Sequence, residues 1–209
     1  MTIAIDLEAA FHPRSIAIVG VSRSDTLDTP GYTGLKFLRS YRDSGFKGHL
    51  YPINPKTDSI ENIKAYPSLT AIPEPLDLVV VAVPAEAVPK VLEDCIAVKA
   101  LNVHICSSGF GETGESHRQN LESTIRDIAL RGGLRIVGPN SMGLHVPSSG
   151  LKMFEDVPLI DGPVAFISQS GTIAREYLKY GPIGFFEPGF ALGSRLPVLL
   201  YCGGVRYTN

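Results

Sequence analysis

The feature that most constrains the fold is the alternation of short apolar runs with longer amphipathic stretches. The clearest run, Leu78-Val-Val-Val-Ala-Val83, is apolar at every position. A strand that is apolar on both faces is typical of the centre of a parallel sheet covered by helices on both sides. Strand, helix and strand recur at intervals of about 30 residues, which predicts a Rossmann-like, doubly wound α/β sheet.

The same pattern locates the elements and divides the chain into two units. We expect strands over 15–20, 49–54, 78–83, 102–106 and 134–137, with helices over 31–43, 85–98 and from 116 onward. These elements form a first domain over 1–147, followed by a Gly- and Pro-containing linker over 148–163. A second unit over 164–209 begins with a strand over 164–167 and a helix to about residue 180, and it is too short to complete an α/β domain.

Composition excludes several classes of protein. Lys and Arg number 19 against 21 Asp and Glu, so the chain is not a generally basic nucleic-acid binder. The cysteines, Cys95, Cys106 and Cys202, are too few and too widely spaced for a disulfide framework or a zinc-knuckle spacing. The sequence has neither a bilayer-spanning apolar run nor a signal peptide. We therefore expect a cytoplasmic protein with no metal, membrane or nucleic-acid partner.

The residues after the first strand are candidate phosphate contacts, because ligands bind an open α/β sheet at the carboxyl ends of its strands. Glycines let backbone N–H groups approach a phosphate, and a helix N-terminus favours an anion. The pattern is not the GxGxxG of NAD enzymes, and a plain turn between strand and helix explains it equally well. The candidates are Gly20, Ser22, Arg23, Ser24, Gly31, Tyr32, Thr33 and Gly34.

The residue at position 56 indicates which class of nucleotide the first domain binds. An NAD-binding fold places Asp or Glu near the end of its second strand to bind the ribose hydroxyls. Here the strand ends in Asn54-Pro55-Lys56, and a cation there favours a phosphate. NADP or coenzyme A, which both carry a ribose phosphate, is therefore favoured over NAD, although Lys56 also fits the role of an ordinary exposed lysine.

Later strands end in further candidate contacts. Pro84 offers a flat apolar wall to an adenine ring, or it only ends its strand. The stretch Ser107-Ser-Gly-Phe-Gly-Glu-Thr-Gly-Glu115 is too rich in glycine for a plain connector and offers hydroxyl and N–H groups to a ligand. Asn140 can hydrogen-bond to a ligand or satisfy the backbone of its own turn.

The second unit contains a compact anion-binding candidate at Ser168-Gln169-Ser170-Gly171-Thr172, between a strand and a helix. Two serine hydroxyls, a glycine and a helix N-terminus suit a phosphoryl group. The stretch lacks the lysine of a P-loop. The alternative is that the serines only cap the helix.

The order of these motifs resembles that of a known family. Phe11-His-Pro-Arg-Ser-Ile-Ala-Ile-Val-Gly20, Asn54-Pro-Lys56, Leu78–Pro84, Ser107-Ser-Gly-Phe-Gly-Glu112, Gly138-Pro-Asn140 and Ile167-Ser-Gln-Ser-Gly171 follow one another over about residues 9 to 193. Together they resemble the CoA-binding subunit or N-terminal part of the NDP-forming acyl-CoA synthetases, which are relatives of the succinyl-CoA synthetase α subunit. The resemblance implies a Rossmann-like CoA-binding domain followed by a flavodoxin-like domain.

The resemblance also implies a reaction cycle and a role for each motif. In the family, CoA displaces phosphate from an acyl phosphate, and the phosphate passes to a histidine and then to ADP on an ATP-grasp domain or subunit. The glycine-rich turns and Lys56 would hold the CoA phosphates. Ser168–Thr172 would cradle the phosphoryl group of the histidine. Val83 and Pro84 would flank the adenine, Cys106, Ser107 and Ser108 would line the pantetheine arm, and Asn140 would face the thiol.

The chain also departs from the family. Its histidines stand at 12, 49, 104, 117 and 145, whereas the family's phosphorylated histidine lies several tens of residues beyond the Ser-Gln-Ser-Gly turn. After Gly193 the family's continuation is replaced, as in a truncation or an altered reading frame. We therefore predict no catalytic residue and a chain that binds CoA or acyl-CoA without running the cycle. A CoA-sensing regulatory module and an NAD(P)-binding protein are the alternatives, and a second copy of the chain is a further candidate partner.

Overall fold

The computed structural model describes residues 8–23, 31, 33–152, 155–160, 164–168, 170–180 and 188–194. The helices are α1 Glu8–Phe11, α2 Gly34–Asp43, α3 Val88–Ala97, α4 Ser116–Gly132 and α5 Gly171–Tyr180. The strands are β1 Ser15–Val19, β2 His49–Ile53, β3 Ser59–Ile60, β4 Ile63–Lys64, β5 Leu78–Val81, β6 Asn102–Ile105, β7 Arg135–Val137, β8 Ser141–His145, β9 Val164–Ser168 and β10 Pro188–Ser194.

Five parallel strands form the main sheet, in the order β2-β1-β5-β6-β7. The chain runs outward from β1 to β2 in one direction and from β5 to β7 in the other. Such a reversal leaves a crevice beyond the carboxyl ends of β1 and β5, where open α/β sheets bind ligands. The predicted doubly wound, Rossmann-like sheet is thereby confirmed.

Alternate residues of the central strands enter two separate apolar cores. On β5, Leu78 and Val80 belong to the core that includes Leu38 of α2. Val79 and Val81 belong to the core that includes Leu92 of α3. Each of these valines is fully buried, and burying such a side chain stabilises a fold by roughly 1.5–3 kcal/mol. The run is apolar throughout because helices cover both faces of the sheet.

A second sheet has the order β8-β10-β9, with β10 antiparallel to β8 and parallel to β9. The sequence pattern predicted β9 and α5 but neither β8 nor β10. A ring nitrogen of His104 on β6, Nε2, lies 3.1 Å from the carbonyl oxygen of Ser141 on β8. This hydrogen bond joins the two sheets at the end of the first unit.

Helix boundaries differ from the expectation by a few residues. The helix expected from residue 31 begins at Gly34, because Thr33 caps it by accepting a hydrogen bond from the backbone N–H of Lys36 at 3.4 Å. The helix expected from residue 85 begins with a short 3₁₀ turn over Ala85–Ala87. Among the described helices, none combines the length and apolar character needed to cross a bilayer.

Candidate functional site

Two adjoining cavities lie at the carboxyl edge of the main sheet. The first, of about 440 Å³, is called the central cavity and is lined by Val83, Ser107, Ser108, Asn140, Met142 and Gly171, among others. The second, of about 410 Å³, is called the side cavity and is lined by Gly20, Ser22, Asn54, Lys56, Val83 and Val91, among others. Val83 lines both cavities, so a long ligand can extend from one into the other.

Glycines allow the close approach of β1, β5 and α2 beside these cavities. Gly20 has a φ of +95°, and a Cβ atom there would meet the carbonyl oxygen of Ala82 and lie 2.9 Å from a methyl carbon of Val83. A Cβ atom on Gly34 would lie 2.9 Å from the carbonyl group of Gly20. The N-terminus of α2 can therefore lie against the end of β1. This end of the helix carries the partial positive charge that attracts anions.

Lys56 lies in the predicted place. Its side chain is exposed and lines the side cavity. Its backbone N–H donates to Asn54 Oδ1 at 2.8 Å, and Asn54 Nδ2 donates to the carbonyl of Val21 at 2.8 Å. Asn54 therefore ties the loop after β2 to the loop after β1. Sequence reasoning assigned Asn54 no role, although its place directly after a strand was a usable signal.

The inner wall of the side cavity is apolar. Ile53, Leu69, Val83 and Val91 contribute to it, and they belong to or pack against one apolar core. An apolar slot with a cation at its rim suits a purine base attached to a phosphorylated ribose, because the base is flat and the phosphate is anionic. The exposed Pro84 lines the central cavity instead.

The central cavity presents polar groups on a fixed backbone. The backbone N–H of Cys106 donates to the carbonyl of Val81 at 3.0 Å, and the N–H of Asn140 donates to the carbonyl of Ser107 at 2.8 Å. Burial raises the pKa of the Cys106 thiol to about 12, so this thiol is neutral at physiological pH and unsuited to act as a nucleophile. Ser108 is exposed on the same wall.

The anion-binding candidate of the second unit reaches the same cavity. Gly171 and Asn140 both line the central cavity, although Gly171 begins α5 and Asn140 lies between β7 and β8. Ser168 Oγ accepts from the N–H of Ser170 at 3.1 Å, and Ser170 Oγ accepts from the N–H of Ile173 at 3.3 Å. The Ser170 hydroxyl caps α5 and the Ser168 hydroxyl holds the turn before it, so an anion would have to compete with these hydrogen bonds. Thr172 is exposed.

Some residues that the sequence predicted as ligand contacts do not line either cavity, and others lie outside the described residues. The guanidinium of Arg23 donates to the carbonyl of Ser59 at 2.7 and 3.1 Å, which attaches it to the β3–β4 hairpin. Ser24, Tyr32 and Gln169 lie outside the described residues.

Met142 lines the central cavity but was not predicted as a contact, because its segment was interpreted as a turn. In the described part of the chain, no three His, Cys, Asp or Glu side chains are grouped to hold a metal ion.

Comparison with known proteins identifies the family. The profile of the family described as CoA binding domain matches residues 14–147. The chain belongs to this family. Coenzyme A, the cofactor predicted from the sequence, is confirmed for this CoA-binding domain. The family assignment favours coenzyme A over the NAD(P) alternative.

Relatives of the CoA-binding domain confirm the resemblance to NDP-forming acyl-CoA synthetases. The α subunit of acetate–CoA ligase [ADP-forming] I from Pyrococcus furiosus is 37% identical over 174 residues, which are 81% of this chain and 36% of that protein. The 4-hydroxybutyrate–CoA ligase [ADP-forming] from Nitrosopumilus maritimus is 35% identical over 170 residues, 80% of this chain and 23% of that protein. The chain thus spans about a quarter to a third of these relatives.

A solved structure agrees with this relationship. The dinucleotide-forming acetyl-coenzyme A synthetase 1 of Ca. Korarchaeum cryptofilum, in complex with phosphate and ADP, superposes with a TM-score of 0.80 at 32% identity. The match covers 91% of this chain and 39% of that protein. The similarity therefore extends beyond residues 14–147 into the second unit.

Proposed function

We propose that this chain is the CoA-binding part of an ADP-forming acyl-CoA ligase, which converts an acid, CoA and ATP to acyl-CoA, ADP and phosphate. An ATP-grasp domain or subunit outside this chain completes the enzyme. The relatives named ADP-forming ligases support the reaction class. The pair of cavities that meet at Val83 supports the extended ligand, because CoA has a nucleotide end and a long pantetheine arm.

The nucleotide end of CoA is assigned to the side cavity. Lys56 holds the ribose phosphate, while Gly20 and Ser22 after β1 hold the diphosphate beside the N-terminus of α2. Val83 flanks the adenine, whereas Pro84, which the sequence also predicted there, lines the central cavity. The fit rests on the exposed cation of Lys56 at the rim and on the close approach of the α2 N-terminus to the end of β1, which Gly20 and Gly34 permit.

The pantetheine arm is assigned to the central cavity. Cys106, Ser107 and Ser108 line it, Asn140 faces its thiol end, and Ser168–Thr172 receive the phosphoryl group. When bound, CoA supplies the thiol that displaces phosphate from an acyl phosphate. The residues of this chain orient the arm and shield it from water. The convergence of Asn140 and Gly171 on one cavity supports this arrangement.

The division into domains follows the same assignment. The first domain, 1–147, holds the nucleotide, the linker is 148–163, and 164–209 begins a flavodoxin-like domain. The pairing of β8 with β10 means that the last strand before the linker lies in the second sheet. Residues 141–145 therefore connect the two domains at the cavity.

Ligand-dependent stabilisation tests the proposal. CoA should raise the melting temperature of the 209-residue chain more than equal concentrations of dephospho-CoA, NADP or NAD. A ligand at 100 times its Kd stabilises the folded state by about 2.7 kcal/mol. A larger shift with NADP than with CoA, or no shift with CoA at saturating concentration, would contradict the proposed site.

A further inference from the structure

The loop after β6 is held by carboxylates that do not line the central cavity. Glu112 accepts from two successive backbone amides, with Oε1 at 2.6 Å from the nitrogen of Gly109 and Oε2 at 2.9 Å from that of Phe110. Glu122 of α4 accepts from the next amide, with Oε2 at 2.8 Å from the nitrogen of Gly111. Three consecutive N–H groups of the loop therefore donate to two carboxylates.

These bonds fix the segment that adjoins the cavity wall. Hydrogen bonds from N–H groups to an ionised carboxylate are shorter and stronger than neutral ones. Phe110 anchors the loop on one side, because its ring is fully buried in a core. Ser107 and Ser108, which line the central cavity, lie immediately before Gly109. The position of the two serines therefore depends on how the three amides are held.

Two glycines of the loop fit this arrangement. Gly109 has a φ of +97°, which favours glycine. A Cβ atom on Gly111 would lie 2.5 Å from Glu122 Oε2 and 3.3 Å from its carboxyl carbon, so a side chain there would force this carboxylate to shift. Glycine at position 111 therefore leaves the Glu122 carboxylate in place.

Helix α4 also contacts the turn that follows Val83 and Pro84. Arg118 forms an ion pair with Glu86, which lies in the 3₁₀ turn directly after Pro84. Arg118 and Glu122 lie one turn apart on α4. The helix thus carries one contact to the turn after Pro84 and another to the loop after Ser108.

We infer that Glu112 and Glu122 are positioning residues for CoA, which fix the Ser107–Ser108 wall against which the pantetheine arm lies. The inference rests on the proposed function, because that proposal assigns the arm to this wall. The two glutamates act on the ligand through the loop backbone. They therefore affect the affinity for the arm and not the affinity for the nucleotide end.

The substitution Glu112→Gln tests this, because glutamine offers one acceptor oxygen where glutamate uses two. Its amide NH₂ would face a backbone N–H, so one of the two bonds is lost. Isothermal titration of the full chain should show CoA binding weakened about tenfold, because the released loop residue must be ordered again when the arm binds. Adenosine 3′,5′-bisphosphate, which lacks the arm, should bind within twofold of its affinity for the unsubstituted chain.

Amide hydrogen exchange provides a readout at the loop itself. The amides of Gly109 and Phe110 should exchange faster in Glu112→Gln than in the unsubstituted chain. The matched control is Glu115→Gln, because the exposed Glu115 carboxylate pairs with the exposed His117 side chain at 3.3 Å. This control should change neither the loop exchange nor the affinity for either ligand.

Distinct outcomes separate this inference from the proposed function. Equal weakening of both ligands, or the same CoA affinity in Glu112→Gln and Glu115→Gln, overturns the inference alone. An unsubstituted chain that binds neither ligand overturns the proposed function and the inference with it. If Glu112→Gln does not fold, Glu122→Leu is the second variant, because it releases the amide of Gly111. It should show the same selective loss of affinity for CoA. An equal loss of affinity for both ligands would overturn the inference.

Discussion

At the scale of single residues, Lys56 provides the sharpest test of ligand identity. Its side chain lines the side cavity, and Asn54 fixes its backbone. We expect Lys56→Ala to weaken CoA binding by about 1 to 3 kcal/mol, the range for a hydrogen bond to a charged group. Binding of dephospho-CoA should not change, because that ligand lacks the phosphate that Lys56 is proposed to hold. Calorimetric titration of both ligands measures the difference.

Lys47→Ala is the matched control for Lys56. Lys47 is also exposed, but it lies near the start of β2, at the opposite end of the sheet. Equal losses for CoA and dephospho-CoA in Lys56→Ala would place Lys56 on the diphosphate. No loss for either ligand would show that Lys56 is an ordinary surface lysine.

Two buried histidines predict a loss of stability in mild acid. His104 and His145 are at most 1% exposed, and burial lowers the pKa of each to about 4. The unfolded chain takes up a proton near pH 6.5, whereas the folded chain does not. The stabilising contribution is therefore present above pH 6.5 and is lost as the pH falls towards 4. Each histidine should lower the free energy of unfolding by about 2 kcal/mol between pH 7 and pH 5.

Urea unfolding at these two pH values measures the effect. His145→Phe should remove about half of the pH-dependent loss, because the two histidines have the same lowered pKa and contribute equally. His117→Gln is the control, because the exposed His117 side chain lies outside both cores. An unchanged pH dependence in His145→Phe would show that other groups cause the loss.

At the scale of elements, the start of α5 links the second unit to the central cavity. A Cβ atom on Gly171 would overlap the side chain of Met142 on β8. Gly171→Val should therefore displace Met142, lower the free energy of unfolding by about 1 to 3 kcal/mol through overpacking, and weaken CoA binding. Calorimetry and chemical unfolding measure the two effects.

The double variant Gly171→Val with Met142→Ala tests the cause. Removing the methionine side chain should restore CoA affinity towards that of the Met142→Ala single variant. If Gly171→Val leaves CoA affinity unchanged, the second unit does not influence the ligand. The two candidate sites would then be independent.

The strands of the main sheet could be predicted because each contains apolar residues that enter the cores, and those of β1 and β5 enter both. All five positions expected from the sequence carry strands, and the observed ends differ from the expected ends by one or two residues. Neither β8 nor β10 could be predicted in the same way. Ser141-Met-Gly-Leu-His145 follows the turn-forming Gly138-Pro-Asn140 and contains a glycine, and Pro188-Gly-Phe-Ala-Leu-Gly-Ser194 contains proline and glycines; both residue types are depleted in strands. Their pairing connects segments more than 40 residues apart in the sequence.

The site could be predicted to the extent that it follows strand ends. Lys56, Pro84, Ser107 and Asn140 all line one of the two cavities, because parallel strands end at one edge of the sheet. Met142 and the shared position of Gly171 could not be predicted, since both depend on how β8 and α5 pack together. The carboxylate contacts of Glu112 also depend on the conformation of the loop.

At the scale of the whole molecule, the end of the first unit can be located by its contacts. Residues 150–152 pack on α2 and on the loop after it. Ser40 Oγ donates to the carbonyl of Lys152 at 2.9 Å, and Ser44 Oγ donates to that of Gly150 at 2.5 Å. Leu151 is fully buried in the same core as Leu38. From these contacts we predict that residues 148–152 stabilise the first unit, which the proposed boundary at residue 147 leaves out.

Two truncated chains, 1–152 and 1–147, measure what these residues contribute. Both lack β10, so the loss of its pairing with β8 cancels in the comparison. The shorter chain loses the burial of Leu151, worth roughly 1.5–3 kcal/mol, and the two serine hydrogen bonds, worth about 1 kcal/mol each. We expect it to be less stable to urea by about 3 to 5 kcal/mol. If the two truncated chains are equally stable to urea, the first unit ends at residue 147. Adenosine 3′,5′-bisphosphate should bind 1–152 as it binds the full chain, because the lining of the side cavity ends at Asp94.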